Sequence, residues 1–253
     1  MRSFLSRDGL EIAYDEWAAT APGPPVVLHH GFGVDANLGW VVTGVVDALT
    51  NAGRHVVAIN VRGSGGSAKP HDPPSYGEYT LAGDISSLFD ALGGDEFDLV
   101  GFSHGAIVSM IAATQEPRVR RLVVGGVGAG AVELGAEESR VIPRYMVDAL
   151  IPDDPAELTS PAEIGFRALA DLAQSDRLAL TALARSRHHR PIPLHRITAP
   201  TLVIAGERDR LARGVDVLRA AIRGATVQML DTDHISATTT PEFTSATIDF
   251  LTG

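Results

Sequence analysis

Residues 101–105 read Gly101-Phe102-Ser103-His104-Gly105, directly after the apolar run Phe97-Asp98-Leu99-Val100 and before Ala106-Ile107-Val108. A serine hydroxyl attacks carbonyl carbon only when a base takes its proton and a third group orients that base. It also needs a sharp turn that pushes its oxygen outward. Gly101 and Gly105 supply the room, because a Cβ at either position would crowd such a turn. A helix that starts just behind the serine leaves free backbone N–H groups, that of His104 among them, facing any developing negative charge. The alternative is a serine in a glycine-rich turn. With 26 glycines in the chain, Gly-x-Ser-x-Gly alone is a weak motif. Its place between a strand pattern and a helix pattern is what favours a nucleophile.

Downstream histidines are His104, His188, His189, His195 and His234. His104 belongs to the turn itself and is badly placed to take the Ser103 proton. His188, His189 and His195 fall in the basic stretch 185–196, which suits a helix end and its return loop. His234 follows a strand pattern in Asp231-Thr232-Asp233-His234, at the strand end where ligands gather in open α/β sheets. Asp209, just past the strand 201–205, is the candidate acid. Glu207, Asp231 and Asp233 are the other carboxylates within reach, and Asp233 adjoins His234 too closely to meet its ring face-on. A second oxyanion donor is expected from the loop His30-Gly31-Phe32-Gly33, with the Phe32 N–H in that role.

The elements that must hold these residues alternate between strand and helix. Segments 2–6 and 10–17 flank Asp8-Gly9 as a hairpin. Strands are expected at 26–29, 55–61, 97–102, 121–125, 201–205 and 226–230, and their continuous apolar runs suit parallel strands buried on both faces. Helices are expected at 38–51, 81–92, 104–115, 213–222 and 241–251. Residues 137–150, 162–172 and 176–187 carry helical periodicity with no strand between them. The implied architecture is α/β, a mostly parallel sheet wrapped by helices. Its core comes from 1–130 and 196–253, and 131–195 forms a helical cap. Apolar residues at helical spacing in the cap (Ile164, Leu169, Leu172; Leu178, Leu180, Leu183) are expected to pack on the sheet's edge and roof the site. Tyr145, Met146 and Phe166 are candidate substrate-binding residues, with helix-face packing the alternative.

A formal net charge of −10 argues against nucleic acid, which demands clustered cations, and against an anionic membrane surface. No stretch reaches the roughly 18 apolar residues of a membrane span. No export signal is read at the N-terminus, so the cytoplasm is the expected location. The absence of cysteine excludes disulfides, thiolate metal sites and a cysteine nucleophile. A small-molecule substrate is the expected partner, and the number of copies is left open. The glycine run 125–130 follows the sixth strand rather than the first and reads as an exit into the cap, not a dinucleotide loop. Segment 62–67 lacks the Gly-Lys-Ser/Thr ending of a phosphate loop. Trp40 and Met110 read as core or pocket wall.

Taken in order, HHGFG at 29–33, NVRGSGGS at 60–67, GFSHGA at 101–106, AGERD at 205–209 and DTDH at 231–234 resemble the α/β-hydrolase fold superfamily in its small, capped, esterase-like bacterial branch. The resemblance covers nearly the whole chain. It implies an eight-stranded sheet with a cap after strand six, the triad Ser103, Asp209 and His234, oxyanion N–H groups from Phe32 and His104, and neither cofactor nor metal. Four positions depart from the family pattern. Asn60 stands where Asp is usual, with little effect expected on the chemistry. Ala106 replaces a frequent glycine, Asp233 replaces the glycine before the histidine, and His104 replaces an apolar residue and is a candidate substrate contact. A serine rather than an aspartate at 103 argues against dehalogenase and epoxide-hydrolase chemistry. The function expected is hydrolysis of small to medium apolar carboxylic esters or lactones through an acyl-enzyme. The alternatives are carbon–carbon bond hydrolysis of ring-cleavage products on the same triad, which a cap carrying Arg140, Arg144 and Arg167 would suit, and a poorly catalytic ligand-binding protein.

Overall fold

A computed structural model describes residues 1–131, 142–186 and 190–253. Its eight strands are β1 (Arg2–Leu5), β2 (Glu11–Trp17), β3 (Val26–His29), β4 (Val56–Ile59), β5 (Phe97–Phe102), β6 (Val119–Gly125), β7 (Thr201–Gly206) and β8 (Thr226–Leu230). They form one sheet in the order β1-β2-β4-β3-β5-β6-β7-β8. β1 pairs antiparallel with β2, and β2 antiparallel with β4; every later pairing is parallel. The hairpin turns at Gly9, whose φ of 82° suits a residue without Cβ.

Because strand side chains alternate, each strand feeds two cores. Val27, Leu99, Val124 and Val203 face one core, shared with α2 (Glu78–Leu92) and α3 (His104–Ala113). Val26, Leu28, Val100, Val123 and Ile204 face the other, against α1 (Val45–Asn51) and α8 (Pro241–Thr252). Trp40 and Met110 are core residues in these two layers. The helix expected at 38–51 is two pieces, a wide π-turn over Asn37–Val41 and then α1. Gly44, at φ 82°, turns left-handed between them, which the apolar spacing alone does not reveal.

The described residues between β6 and β7 include α4 (Arg144–Asp148), α5 (Pro161–Leu172) and α6 (Arg177–Arg185); α7 (Asp216–Ala221) lies between β7 and β8. The first part of the helix expected at 137–150 lies outside the described residues. Residues on α5 and α6 and in the preceding turns form their own cluster of Ala149, Leu150, Leu158, Phe166, Ala170 and Leu180, with Phe32 of the core packed against it. The expected apolar face of α5 is corrected: Ile164 and Leu172 are exposed, as is Leu178 on α6. The buried stripe of α5 runs instead through Phe166, Arg167 and Ala170. Arg167 can be buried because carbonyls and a carboxylate consume its N–H groups. It donates to the carbonyls of Ala149, Pro152 and Asp153 and to the Asp171 carboxylate.

The end of the sheet away from Ser103 is locked by charge. Asp98, fully buried at the start of β5, accepts from Arg54 and from both ends of the Arg120 fork, and the two arginines also donate to the Leu251 carbonyl at the end of α8. Among the described residues no helix is long and apolar enough to cross a membrane.

Candidate active site

Ser103 stands at the junction of β5 and α3 with φ 56° and ψ −124°, a conformation that L-residues rarely hold. Its N–H donates to the Gly125 carbonyl at the end of β6 (2.8 Å), and its own carbonyl accepts from Ala106 (2.9 Å), which starts the helix. Two glycines make this turn possible. A Cβ on Gly101 would lie 2.4 Å from the Gly105 oxygen, and one on Gly105 would lie 2.2 Å from the His29 oxygen. Strand and helix therefore approach at these two positions more closely than any larger residue allows.

His234, in the loop after β8, places Nε2 3.0 Å from Ser103 Oγ and Nδ1 2.8 Å from Asp209 Oδ2. A carboxylate only accepts, so Nδ1 carries the proton and Nε2 offers its lone pair to the serine hydroxyl. Asp209 is buried just past β7, and its second oxygen takes the Leu211 N–H at 2.8 Å. Phe102 backs the imidazole, ring centroids 5.1 Å apart. Among the other carboxylates, Glu207 is exposed, Asp231 is exposed and paired with Arg208, and Asp233 accepts from the Ser236 N–H. His195 is exposed in the turn Leu194–Arg196. His188, His189 and Arg140 lie outside the described residues.

His104 follows the serine in the chain, and Gly31, beside Phe32, lies so close to Ser103 that a Cβ there would be 3.7 Å from Oγ. Among the described residues neither the Phe32 nor the His104 backbone N–H has a backbone acceptor. Both residues line a water-sized cavity of about 10 Å³ with His30, Val34, Val61, Ser64, Leu180 and Leu183. The side chain of His104, expected as a substrate contact, is buried with Nε2 3.8 Å from Glu78 Oε1. Phe166 stacks on Phe32, centroids 5.7 Å apart and planes within 4°. Tyr145 and Met146 are partly buried against the cluster that contains Phe166, and none of these three lines the small cavity. Arg144 is exposed and pairs with Asp148. Among the described residues no three His, Asp or Glu side chains are grouped to hold a metal ion.

Two further residues, each inside a quoted motif but given no role there, hold the loops around the site. The His30 ring donates from Nδ1 to the Gly31 carbonyl (2.8 Å) and accepts at Nε2 from the Val61 N–H (3.1 Å). Burial holds its pKa down at about 4. Asn60 accepts the Ala36 N–H through Oδ1 at 3.1 Å. The doubled histidine of His29-His30 before Gly31 was a visible signal for the first. The change from Asp to Asn at 60 was one for the second.

A mostly parallel eight-stranded sheet with a serine on a strained strand-to-helix turn defines an α/β-hydrolase class of protein. The comparisons agree. The sequence profile of the alpha/beta hydrolase fold family matches residues 24–145. A 2-hydroxy-6-oxo-2,4-heptadienoate hydrolase of Pseudomonas putida is 32% identical over 208 residues, spanning 75% of this chain and 73% of that protein. A crystal structure of a hydrolase from Pseudomonas aeruginosa superposes with a TM-score of 0.79 and 27% identity, covering 100% of this chain and 98% of the other. Epoxide hydrolase A of Mycobacterium tuberculosis is 38% identical over 91 residues, 36% of this chain and 27% of its own length. The chain belongs to the α/β-hydrolase fold family, and these relatives are hydrolases.

Proposed function

We propose that the protein is a serine hydrolase of small to medium apolar carboxylic esters or lactones. The observation that carries this reading is the unbroken row from Ser103 Oγ to His234 Nε2 (3.0 Å) and from His234 Nδ1 to Asp209 (2.8 Å). Ser103 Oγ attacks the carbonyl carbon while its proton passes to His234. The Phe32 and His104 N–H groups receive the oxyanion. His234 then protonates the leaving alcohol, and an acyl-enzyme remains. A water, deprotonated by the same imidazole, frees the acid and restores the serine. Asp209 holds the imidazole in the tautomer this sequence needs. Residues 131–195 act as a cap, in which Phe166, with Tyr145 and Met146 packed on its cluster, backs Phe32 from the cap side.

The serine also argues against epoxide opening. A carboxylate opening an epoxide gives an ester that water can cleave, whereas a serine would give an ether that it cannot. Carbon–carbon hydrolysis is the second reading, favoured by the Pseudomonas putida relative. Its substrate would bring a carboxylate needing a cation. Arg167 is already saturated by internal carbonyls and Asp171, Arg144 is exposed beside Asp148, and Arg140 lies outside the described residues, so among the described cap arginines neither is set to hold that carboxylate and the ester reading leads.

Fluorophosphonate labelling and a series of p-nitrophenyl esters test the proposal. Label should enter at Ser103. Rates should rise from acetate through short and medium acyl chains, about fourfold per buried methylene at ~0.8 kcal/mol each, and fall for long chains. Labelling elsewhere, or a preference for a 6-oxo-dienoate over every simple ester, would overturn it.

A further inference from the structure

We propose that Phe166 is a positioning residue for the oxyanion site: its ring, laid on Phe32 and Gly33, sets where the Phe32 N–H points. The inference rests on the reading of Ser103 and Phe32 given above. The loop after β3 is pinned on both sides of Phe32 but not at it. On one side the His30 ring bonds the Gly31 carbonyl and the Val61 N–H. On the other, Asp35 accepts from Leu38 and Gly39, and Asn60 accepts from Ala36. Between these anchors the Phe32 and Gly33 N–H groups have no acceptor among the described residues. Gly33, at φ 82°, has no side chain to hold it. Backbone hydrogen bonds therefore leave the donor's position open.

Packing closes it. The Phe166 ring is parallel to that of Phe32 within 4°. It also lies so close to Gly33 that a Cβ there would fall 2.5 Å from Cε2 and 2.7 Å from Cζ. Phe166 also belongs to the buried cluster of Ala149, Leu150, Leu158, Ala170 and Leu180. The next residue, Arg167, ties α5 to the carbonyls of Ala149, Pro152 and Asp153. The ring is thus a fixed plate against an otherwise unheld donor loop. A shift of about 1 Å in a reacting group's partner costs about 100-fold in rate, and full loss of an oxyanion donor costs about 100- to 1,000-fold.

The test compares Phe166→Leu with Leu158→Ala, which trims the same apolar cluster while keeping both rings of the Phe32–Phe166 stack. Steady-state hydrolysis of p-nitrophenyl butyrate and calorimetric binding of butylboronic acid, which mimics the tetrahedral oxyanion, are measured for each. Phe166→Leu should lower kcat about 10- to 100-fold with KM within about threefold, and boronate Kd should rise in step with the fall in kcat. Leu158→Ala should lower Tm with kcat within about twofold. A rise in KM alone for Phe166→Leu, or an equal loss of kcat in Leu158→Ala, would overturn the inference while leaving the serine reading intact. A wild-type protein that neither hydrolyses the ester nor binds the boronate would overturn both.

Discussion

Acid should unfold this protein partly through one histidine. The His30 ring is buried 97% from solvent, at 3% exposure, and its Nε2 accepts the Val61 N–H, so it cannot carry a second proton without losing that bond. Its pKa is held at about 4, against an ordinary 6.5, chiefly by burial. Below pH 6.5 the unfolded chain binds a proton at this site and the folded chain does not, so stability falls as pH falls and the loss is complete near pH 4. At about 1.4 kcal/mol per pH unit, the shift takes roughly 2 kcal/mol between pH 7.5 and 5 and about 3 kcal/mol by pH 4. His29 acts in the same direction, lowered by burial and by the neighbouring His30 and His104. The assay is urea unfolding of the wild type and of His30→Gln at pH 7.5 and 5.0. Gln keeps an acceptor near Val61 and does not titrate. The wild type should lose about 2 kcal/mol more than the variant across that interval. Equal losses would refute the assignment of a neutral, proton-excluding His30.

Four other outcomes follow from the geometry. Ser103→Ala should cost at least about 1,000-fold in turnover while staying folded, checked by ester hydrolysis and circular dichroism. Ser103→Gly should be equally inactive yet more stable by about 1 kcal/mol in denaturant melts, because glycine releases the strain at φ 56°. Asp209→Asn should impair kcat by orders of magnitude through the wrong imidazole tautomer, whereas Asp231→Asn, on the surface beside Arg208, should stay within about twofold in the same assay. Asp98→Asn should lower stability by about 3 kcal/mol by leaving Arg54 and Arg120 without their carboxylate, with KM unchanged because Ser103 lies about 16 Å along the same strand.

The residues of the Ser103–His234–Asp209 row were the easiest to read. Gly101 and Gly105 announce a backbone crossing that no Cβ survives, and Asp209 and His234 each follow a run of strand residues. The parallel strands were legible because their runs are mostly apolar and buried on both faces, β3 at every position and β5 at all but its last. The packing of α5 was less so. Spacing marks Ile164 and Leu172 as an inward face, but α5 turns Arg167 inward because three carbonyls await it, and carbonyl positions are a tertiary fact. The break at Gly44 and the pinning of the loop by His30 are of the same kind. The His30 bond depends on where Val61, just past the end of β4, lies.

The adjacency of β6 and β7 makes a seam of unusual use. The chain leaves the sheet after β6 and returns at β7, and the two strands pair side by side along Leu122–Gly125. A cut in the excursion between them leaves Ser103 on one polypeptide and Asp209 and His234 on the other. Neither piece alone holds a complete row of proton donors and acceptors. Fused to two proteins that meet, the halves would rebuild the Ser103–His234–Asp209 row only when their hosts bring that seam together, so the topology of this sheet lends itself to a split reporter of association.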